Sequence, residues 1–553
     1  MRSPRIQDLR PSRLSANVLA VMAGVGSAVL LMVRLFVPRP VGVADNYDGP
    51  RLMCHLGVDV RLPRGMPRLR DYVIVRYDHI QHFSCRQEYL GSIRLPDVPY
   101  RSSQLVLLYA GRAVTRVLGL PGYLDLRAVG LVCCVLIGAA VGLLFRFVQL
   151  RYRYRVVLCG AVLVVVADTV FIDYAVSPFS EIASIVGLLW VVVGVVMLTA
   201  PGRRVRLAGL AVVGVSGLFF ATAKTQNFPG VAPLAVVVLA TPLAMPTRRL
   251  GRRLGGVDRR LRYRLAGLLT VLVLGVGAVA VSGNEDRRTA RMTGANFVTV
   301  TLLPTSAHPE RDLAELGAPA WLADYAGAPP WCAPTALQNG AAYKQFTKKL
   351  SHKQIMRFFL NHPGRLLPVL DRVAGYFYVP RATATLCQQT PAGKRMMVTP
   401  LLANYTKIGH TPRGLLDRRW TPVTDAVESL RGSGLGTLVV LWAVPVGAVV
   451  GTRRRRGMRG VGAVVGVVVT VAVAQFVASA FADGIDTAKH LNLAVFATAL
   501  GWVFAAVELV VVAFGRRKQQ SGAGAGRSDT RRGAKAESEP VELGTAATEG
   551  PAA

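Results

Sequence analysis

Asp45 and Asp48 stand three residues apart in the run VGVADNYDG, between Gly42 and Gly49. On an irregular backbone, one such carboxylate can accept a proton while the other orients it or holds a cation. The plainer alternative is an Asp/Asn/Gly turn with both side chains in water. Three more acids, Asp168, Asp173 and Glu181, follow in ADTVFIDYAVSPFSE. Cations and amides come later: Lys224, Gln226 and Asn227 in ATAKTQN, then Lys489 and His490 in ADGIDTAKHLNL, beside Asp483 and Asp486. A lysine with neighbouring amides or a histidine suits a phosphate group, although a lysine at a helix end more often only snorkels.

What brings these residues together is an alternation of apolar stretches with arginine clusters. The stretches are Ala16–Val37, Val129–Leu144, Val156–Val176, Ile182–Thr199, Leu207–Ala223, Phe228–Met245, Leu265–Val281, Leu435–Gly451, Val461–Phe481 and Leu491–Phe514. Most approach the ~20 residues that cross a hydrocarbon core. Arginine clusters sit beside every second end, as at Arg203/Arg204/Arg206 and Arg453–Arg456. The bias of Lys and Arg toward short cytoplasmic loops puts both termini inside and makes the number of spans even. The first stretch is longer than the apolar run of a signal peptide and reads as a retained helix, with Arg34 snorkelling outward. The formal charge of +35 at pH 7 then orients helices and meets anionic lipid rather than nucleic acid, for which no basic groove with interleaved aromatics is visible.

The fold class is therefore an α-helical polytopic membrane protein of about ten spans, with a long first outer loop and a mixed extracytoplasmic domain between spans seven and eight. The divisions are 1–37, the N-terminus and first span; 38–127, the first outer loop; 128–281, spans two to seven; 282–434, the outer domain; 435–514, spans eight to ten; and 515–553, a cytoplasmic tail. Too few large apolar residues follow Gly515 to offset ordering entropy, so Gln519–Ala553 is expected to be disordered. On this map Asp45 and Asp48 follow the first span, Asp168 lies in the outer third of the third, and Asp173, Glu181, Lys224, Lys489 and His490 lie near the same surface. An ionisable group inside a span is costly unless it meets a partner or a wet cavity, which marks it as functional.

Of seven cysteines, Cys133, Cys134 and Cys159 fall in spans as apolar filler. Cys54 and Cys85 share the first outer segment, and Cys332 and Cys387 the second, which fits two disulfides, 54–85 and 332–387, in an oxidising compartment. His308, His352 and His362 lack ligand spacing, and no metal site is assigned. Leu105–Leu118, bearing Arg112 and Arg116, reads as an interfacial amphipathic helix. Tyr376-Phe377-Tyr378 reads as core or interfacial belt.

The runs VGVADNYDGPRLM, YLDLRAVGLV, FIDYAVSPFSE, ATAKTQN and DGIDTAKHLNL resemble a group of bacterial membrane hexosyltransferases that build S-layer and cell-wall glycans, members of the GT-C superfamily. ANFVTVTLLPTSAHPERDLAELGAPAWLADYAG and FFLNHPGRLLPVL are similar to that group's second outer segment. The resemblance covers roughly residues 15–515. It implies a GT-C-like fold and transfer of a hexose from a polyprenyl-phosphate sugar to an envelope glycan at the outer membrane surface. It also implies an acid of the first outer loop as the base that activates the acceptor hydroxyl. Asp45 and Asp48 occupy that region, and Tyr47, where the family commonly has Gly, leaves open which of them matches. Asp168, Asp173 and Glu181 would orient that centre, while Lys224, Gln226, Lys489 and His490 would meet the donor phosphate. The partners expected are the lipid-linked donor, the glycan acceptor and membrane lipid, with no organic cofactor; GT-C relatives differ on a divalent cation. Two other readings remain beside it, a glycan or lipid-linked-sugar transporter, and a non-catalytic assembly protein. No Walker or Rossmann glycine motif is present.

The topology has a direct check. With an impermeant thiol reagent applied to intact cells, a cysteine placed at Thr347 is modified and one placed at Arg252 is not; the reverse result overturns the map.

Overall fold

Backbone in lipid must satisfy its own hydrogen bonds, so each long apolar run becomes a helix. The computed structural model describes residues 13–43, 49–59, 72–73, 76–79, 101–240, 259–282, 287–381, 383–390, 393–400, 402–404, 411–412, 417–452, 459–482 and 484–533. Among the described residues, seven helices are long and apolar enough to cross a membrane: Ser15–Phe36, Leu126–Phe147, Glu181–Thr199, Arg203–Ala221, Leu435–Thr452, Gly460–Ala480 and Thr487–Phe514. An eighth crossing is a pair, Tyr152–Val166 and Thr169–Val176, bent by 65°. Two shorter apolar helices, Thr225–Ala240 and Gly267–Ala280, stand where spans six and seven were expected. The protein is thus a polytopic helical membrane protein, and its apolar helices are numbered as spans one to ten in chain order.

Small residues set the closest contacts, as expected where lipid removes the hydrophobic drive between helices. A Cβ on Gly138 of span two would lie 2.5 Å from the carbonyl oxygen of Gly24 in span one. A Cβ on Gly209 of span five would lie 2.7 Å from the backbone nitrogen of Leu198 in span four. Span four is the axis of the bundle: 89% of its apolar window is buried, against 22% for span eight.

At the loop-rich end of the bundle, short strands join the two long segments. Val41–Val43 pairs antiparallel with Leu402–Asn404, and Tyr72–Val73 with Thr411–Pro412. Arg76–His79 lies between Val58–Asp59 and Tyr123–Asp125, and Thr383–Thr390 forms a hairpin with Gly393–Pro400. The second segment has its own apolar core around Phe297, Leu313, Leu322, Phe346 and Phe358. Phe481, just past span nine, reaches into that core, its ring 5.9 Å from Phe297 and 5.5 Å from Phe359.

Span three was expected to run unbroken to Val176, and it does not. The helix stops at Val166, and Asp168 turns outward from its axis to cap the next short helix through the Val170 N–H. The same carboxylate accepts from the N–H groups of Val423 (2.7 Å) and Thr424 (3.0 Å) and from the Thr424 hydroxyl (2.5 Å). Thr169 donates its N–H to the Trp420 carbonyl, and the Trp420 indole donates to the freed Val164 carbonyl. Backbone groups exposed by the break are thereby satisfied by the strap that leads into span eight, which is how a broken helix is tolerated at membrane depth.

The tail and the cysteines complete the comparison with expectation. The tenth helix runs on to Gly533, so Gln519–Gly533 is helical rather than disordered. A formed span supplies the nucleus, and no proline interrupts propagation before Pro540. Cys133, Cys134 and Cys159 are free and buried. Cys54 and Cys332 are each disulfide-bonded; Cys85 and the side chain of Cys387 lie outside the described residues, so each expected pair, 54–85 and 332–387, includes one such residue.

The Asp168 joint is testable. Asp168→Ala leaves three N–H donors and the Thr424 hydroxyl without their acceptor and is expected to cost about 3 kcal/mol or more, while Thr424→Val removes one hydroxyl bond and costs about 1 kcal/mol. Thermal unfolding in nanodiscs should rank them in that order; an unchanged midpoint for Asp168→Ala shows that the joint does not hold the break.

Candidate functional site

Spans four and five run side by side, so the start of one meets the end of the other. Glu181 opens span four and Lys224 follows span five, and their side chains form an ion pair, 5% and 14% exposed. A charge buried to this degree needs its partner, because desolvation costs several kcal/mol per ion. Lys224 leads into the 3₁₀ turn Thr225–Gly230, whose Asn227 is fully buried. Asn227 Nδ2 donates to the Ser184 hydroxyl (2.8 Å) and the Phe220 carbonyl (2.7 Å), which ties the turn to both spans. From span nine, Gln475 Nε2 donates to the Gln226 carbonyl at 2.9 Å.

Span ten begins at the same level. Lys489 is 2% exposed, and its ammonium lies 4.1 Å from the centre of the Phe179 ring. Such a cation–π contact holds a desolvated cation without cancelling its charge. The His490 carbonyl accepts from Ser479, and Asn492 Nδ2 donates to the Val170 carbonyl at 2.6 Å. Glu181, Lys224, Gln226, Asn227, Lys489 and His490 line one small cavity, and Gln475 and Asn492 complete its polar wall. Within it Glu181 Oε2, Asn227 Oδ1 and Asn492 Oδ1 are buried with no hydrogen-bond partner among the described residues.

The expected constellation therefore comes together in part. Glu181, Lys224, Gln226, Lys489 and His490 share the cavity, but Asp168 and Asp173 do not line it. Asp168 spends its acceptor capacity on Val170, Val423 and Thr424. Asp173 faces a second buried cluster. There Arg34 Nη2 lies 3.4 Å from Asp173 and 2.7 Å from Asp417, and donates to Thr169 Oγ1 at 2.7 Å. Arg34 is thus held inward by three partners rather than snorkelling outward. Arg419 closes the cluster through Asp417 at 3.1 Å and the Val37 carbonyl at 2.6 Å. Burial opposes ionisation of Asp417, but Arg34, a hydrogen bond from Asp173, and the N–H and guanidinium of Arg419 outweigh it and hold its pKa below the usual aspartate range. With the folded value lowered, this stabilisation is present at neutral pH and is lost as pH falls through that folded value.

Asp45 and Asp48 lie outside the described residues, as does Asp483. The strand before the first two, Val41–Val43, is buried and packs on the Asp173–Val176 turn. Residues missed in the sequence are Gln475, Asn492 and Asp417. The first two carried a usable signal, amides set in or beside apolar runs; Asp417 carried none, since its partners come from spans one and three. No group of three or more His, Cys, Asp or Glu among the described residues is placed to hold a metal ion.

The buried pair is open to a coupling test. Lys224→Met strands the Glu181 carboxylate and Glu181→Gln strands the Lys224 ammonium, each expected to cost about 3–5 kcal/mol. The double variant should cost clearly less than their sum in nanodisc unfolding; strict additivity shows that the two are not coupled.

No curated protein and no solved structure matches the chain. Residues 5–527, nearly its whole length, match the model of one family, and the chain belongs to it: the YfdI N-terminal transmembrane domain family.

Proposed function

We propose that this protein is a membrane glycosyltransferase of GT-C type that moves a hexose from a polyprenyl-phosphate sugar to an envelope glycan on the extracytoplasmic face of the cell membrane. The observation that supports this reading is the small cavity at the loop-rich end of spans four, five, nine and ten, lined by the buried Lys489 and the partly buried Lys224. A lipid-phosphate sugar lies at the level of its headgroup, its leaving phosphate needs a cation there, and its ring needs hydrogen-bond partners.

In the reaction, an acceptor hydroxyl attacks the anomeric carbon, the bond from that carbon to the phosphate oxygen breaks, and the hydroxyl proton passes to a base. Asp45 or Asp48 is the base on this reading. Lys489, which lies beside the Phe179 ring, meets the departing phosphate, with His490 beside it. Lys224 has a narrower part than the sequence suggested: its ammonium is bound by Glu181, so it holds that carboxylate in place while adding little net charge.

One observation favours a second reading. Broken helices are a mark of transporters, and span three is broken. The break is filled by the 417–424 strap, however, rather than left open to a cavity.

Purified protein in proteoliposomes, given a radiolabelled polyprenyl-phosphate hexose and an envelope glycan acceptor, should transfer the sugar. Lys489→Met should lower the rate about 10²–10³-fold, and Asp45→Asn with Asp48→Asn about 10²–10⁴-fold. Full transfer by the correctly inserted aspartate double variant removes those residues from the centre. Translocation of the lipid-linked sugar across the vesicle without any transfer makes the protein a flippase.

A further inference from the structure

The second long segment carries a charge imbalance that topology does not explain. Between Asp324 and Asp371 the chain holds Lys344, Lys348, Lys349, Lys353, Arg357 and Arg365 and no acid at all. On the expected map this segment lies outside, where the bias of basic residues toward short inner loops does not apply. Arg365 is taken by Asp312, and His362 by Glu315. The four lysines and Arg357 are exposed.

The period of the helix His352–Asn361 sorts its residues onto two faces. Ile355, Phe358 and Phe359 enter the apolar core of the segment, while Lys353, Met356, Arg357 and Leu360 share the other face at spacings of three and four. Met356 is 52% exposed and Leu360 77%. The short turn Pro363–Arg365 joins this helix to Leu366–Phe377, whose Leu367 is 64% exposed. Large apolar side chains gathered outside a folded core, beside basic groups, mark a surface that meets a partner.

The level of these helices says which partner. Asp371 accepts from the Leu435 N–H at 2.7 Å, and the Tyr378 hydroxyl donates to the Gly434 carbonyl at 3.1 Å. Leu435 opens span eight, and Val373, Ala374 and Phe377 pack into the core of the bundle. The helix Leu366–Phe377 therefore lies across the end of a span, at the depth where hydrocarbon gives way to headgroups. Leu367 stands one turn before Asp371 on the same face. A basic amphipathic helix at that depth rests in the interface, with its apolar side chains among acyl chains and its cations on phosphates. We infer that the helices His352–Asn361 and Leu366–Phe377 anchor the second segment on the lipid surface: Met356, Leu360 and Leu367 enter the leaflet on the loop-rich side of the bundle, and Lys353 and Arg357 bind the phosphates of anionic lipid there. The inference does not depend on the transferase reading.

The test reads where two side chains sit. In a background with the buried Cys133, Cys134 and Cys159 changed to alanine, Leu360→Cys and Leu367→Cys each carry a nitroxide, and the full chain is placed in phosphatidylglycerol nanodiscs. Collision with oxygen, which collects in hydrocarbon, is compared with collision with a nickel chelate that stays in water. Oxygen should prevail at both positions. Prevalence of the chelate at either overturns the inference, and so does shielding from both reagents, which means that protein covers the face. Exchange of phosphatidylglycerol for phosphatidylcholine should shift the Leu360 label toward the chelate, and Lys353→Glu with Arg357→Glu should do the same in phosphatidylglycerol. If either leaves the label where it was, the two cations do not hold anionic headgroups and the inference fails.

Discussion

The arrangement depends on one carboxylate, that of Asp168, which holds span three in its broken form. A helix that stops inside a membrane protein leaves carbonyl and N–H groups without partners, and such groups are not tolerated facing lipid. Asp168 answers this by capping the segment beyond the break and gripping the backbone of Val423 and Thr424. The freed Val164 carbonyl takes the Trp420 indole. The residues past the break can then serve two sides: Asp173 enters the cluster of Arg34 and Asp417, while Phe179 and Glu181 reach the cavity. A straight span three could not deliver both within so few residues.

The two buried clusters solve the problem of desolvated charge differently. Around Arg34, two arginines face two aspartates. This cluster joins the end of span one, the turn after span three and the strap before span eight, and it too holds buried atoms without a hydrogen-bond partner among the described residues, among them Arg34 Nε and Nη1. In the cavity the match is incomplete. Glu181 binds Lys224, Lys489 leans on an aromatic face, and three acceptors remain without donors among the described residues.

The loop-rich face shows why long segments between spans need not be independent units. Strands of the first segment find partners in the second, and Phe481 from span nine enters the apolar core of the second. The end of span nine is thereby connected to structure beyond the bundle.

The amino-acid sequence by itself determined the membrane class and the apolar helices. Hydropathy is a local quantity, and in lipid it translates directly into helices. The sequence also brought out Glu181, Lys224, Gln226, Lys489 and His490, because a charged or amide group beside an apolar run stands out against its surroundings. Only the tertiary structure decided which acids belong together. Asp168 and Asp173 carry the same local signal as Glu181, yet a bend at one residue sends them to the strap and to Arg34. Asp417 and Asn492 take their roles from partners hundreds of residues away. Pairing of buried charges and amides is set by distance through the folded bundle, and distance of that kind leaves no periodicity in the chain.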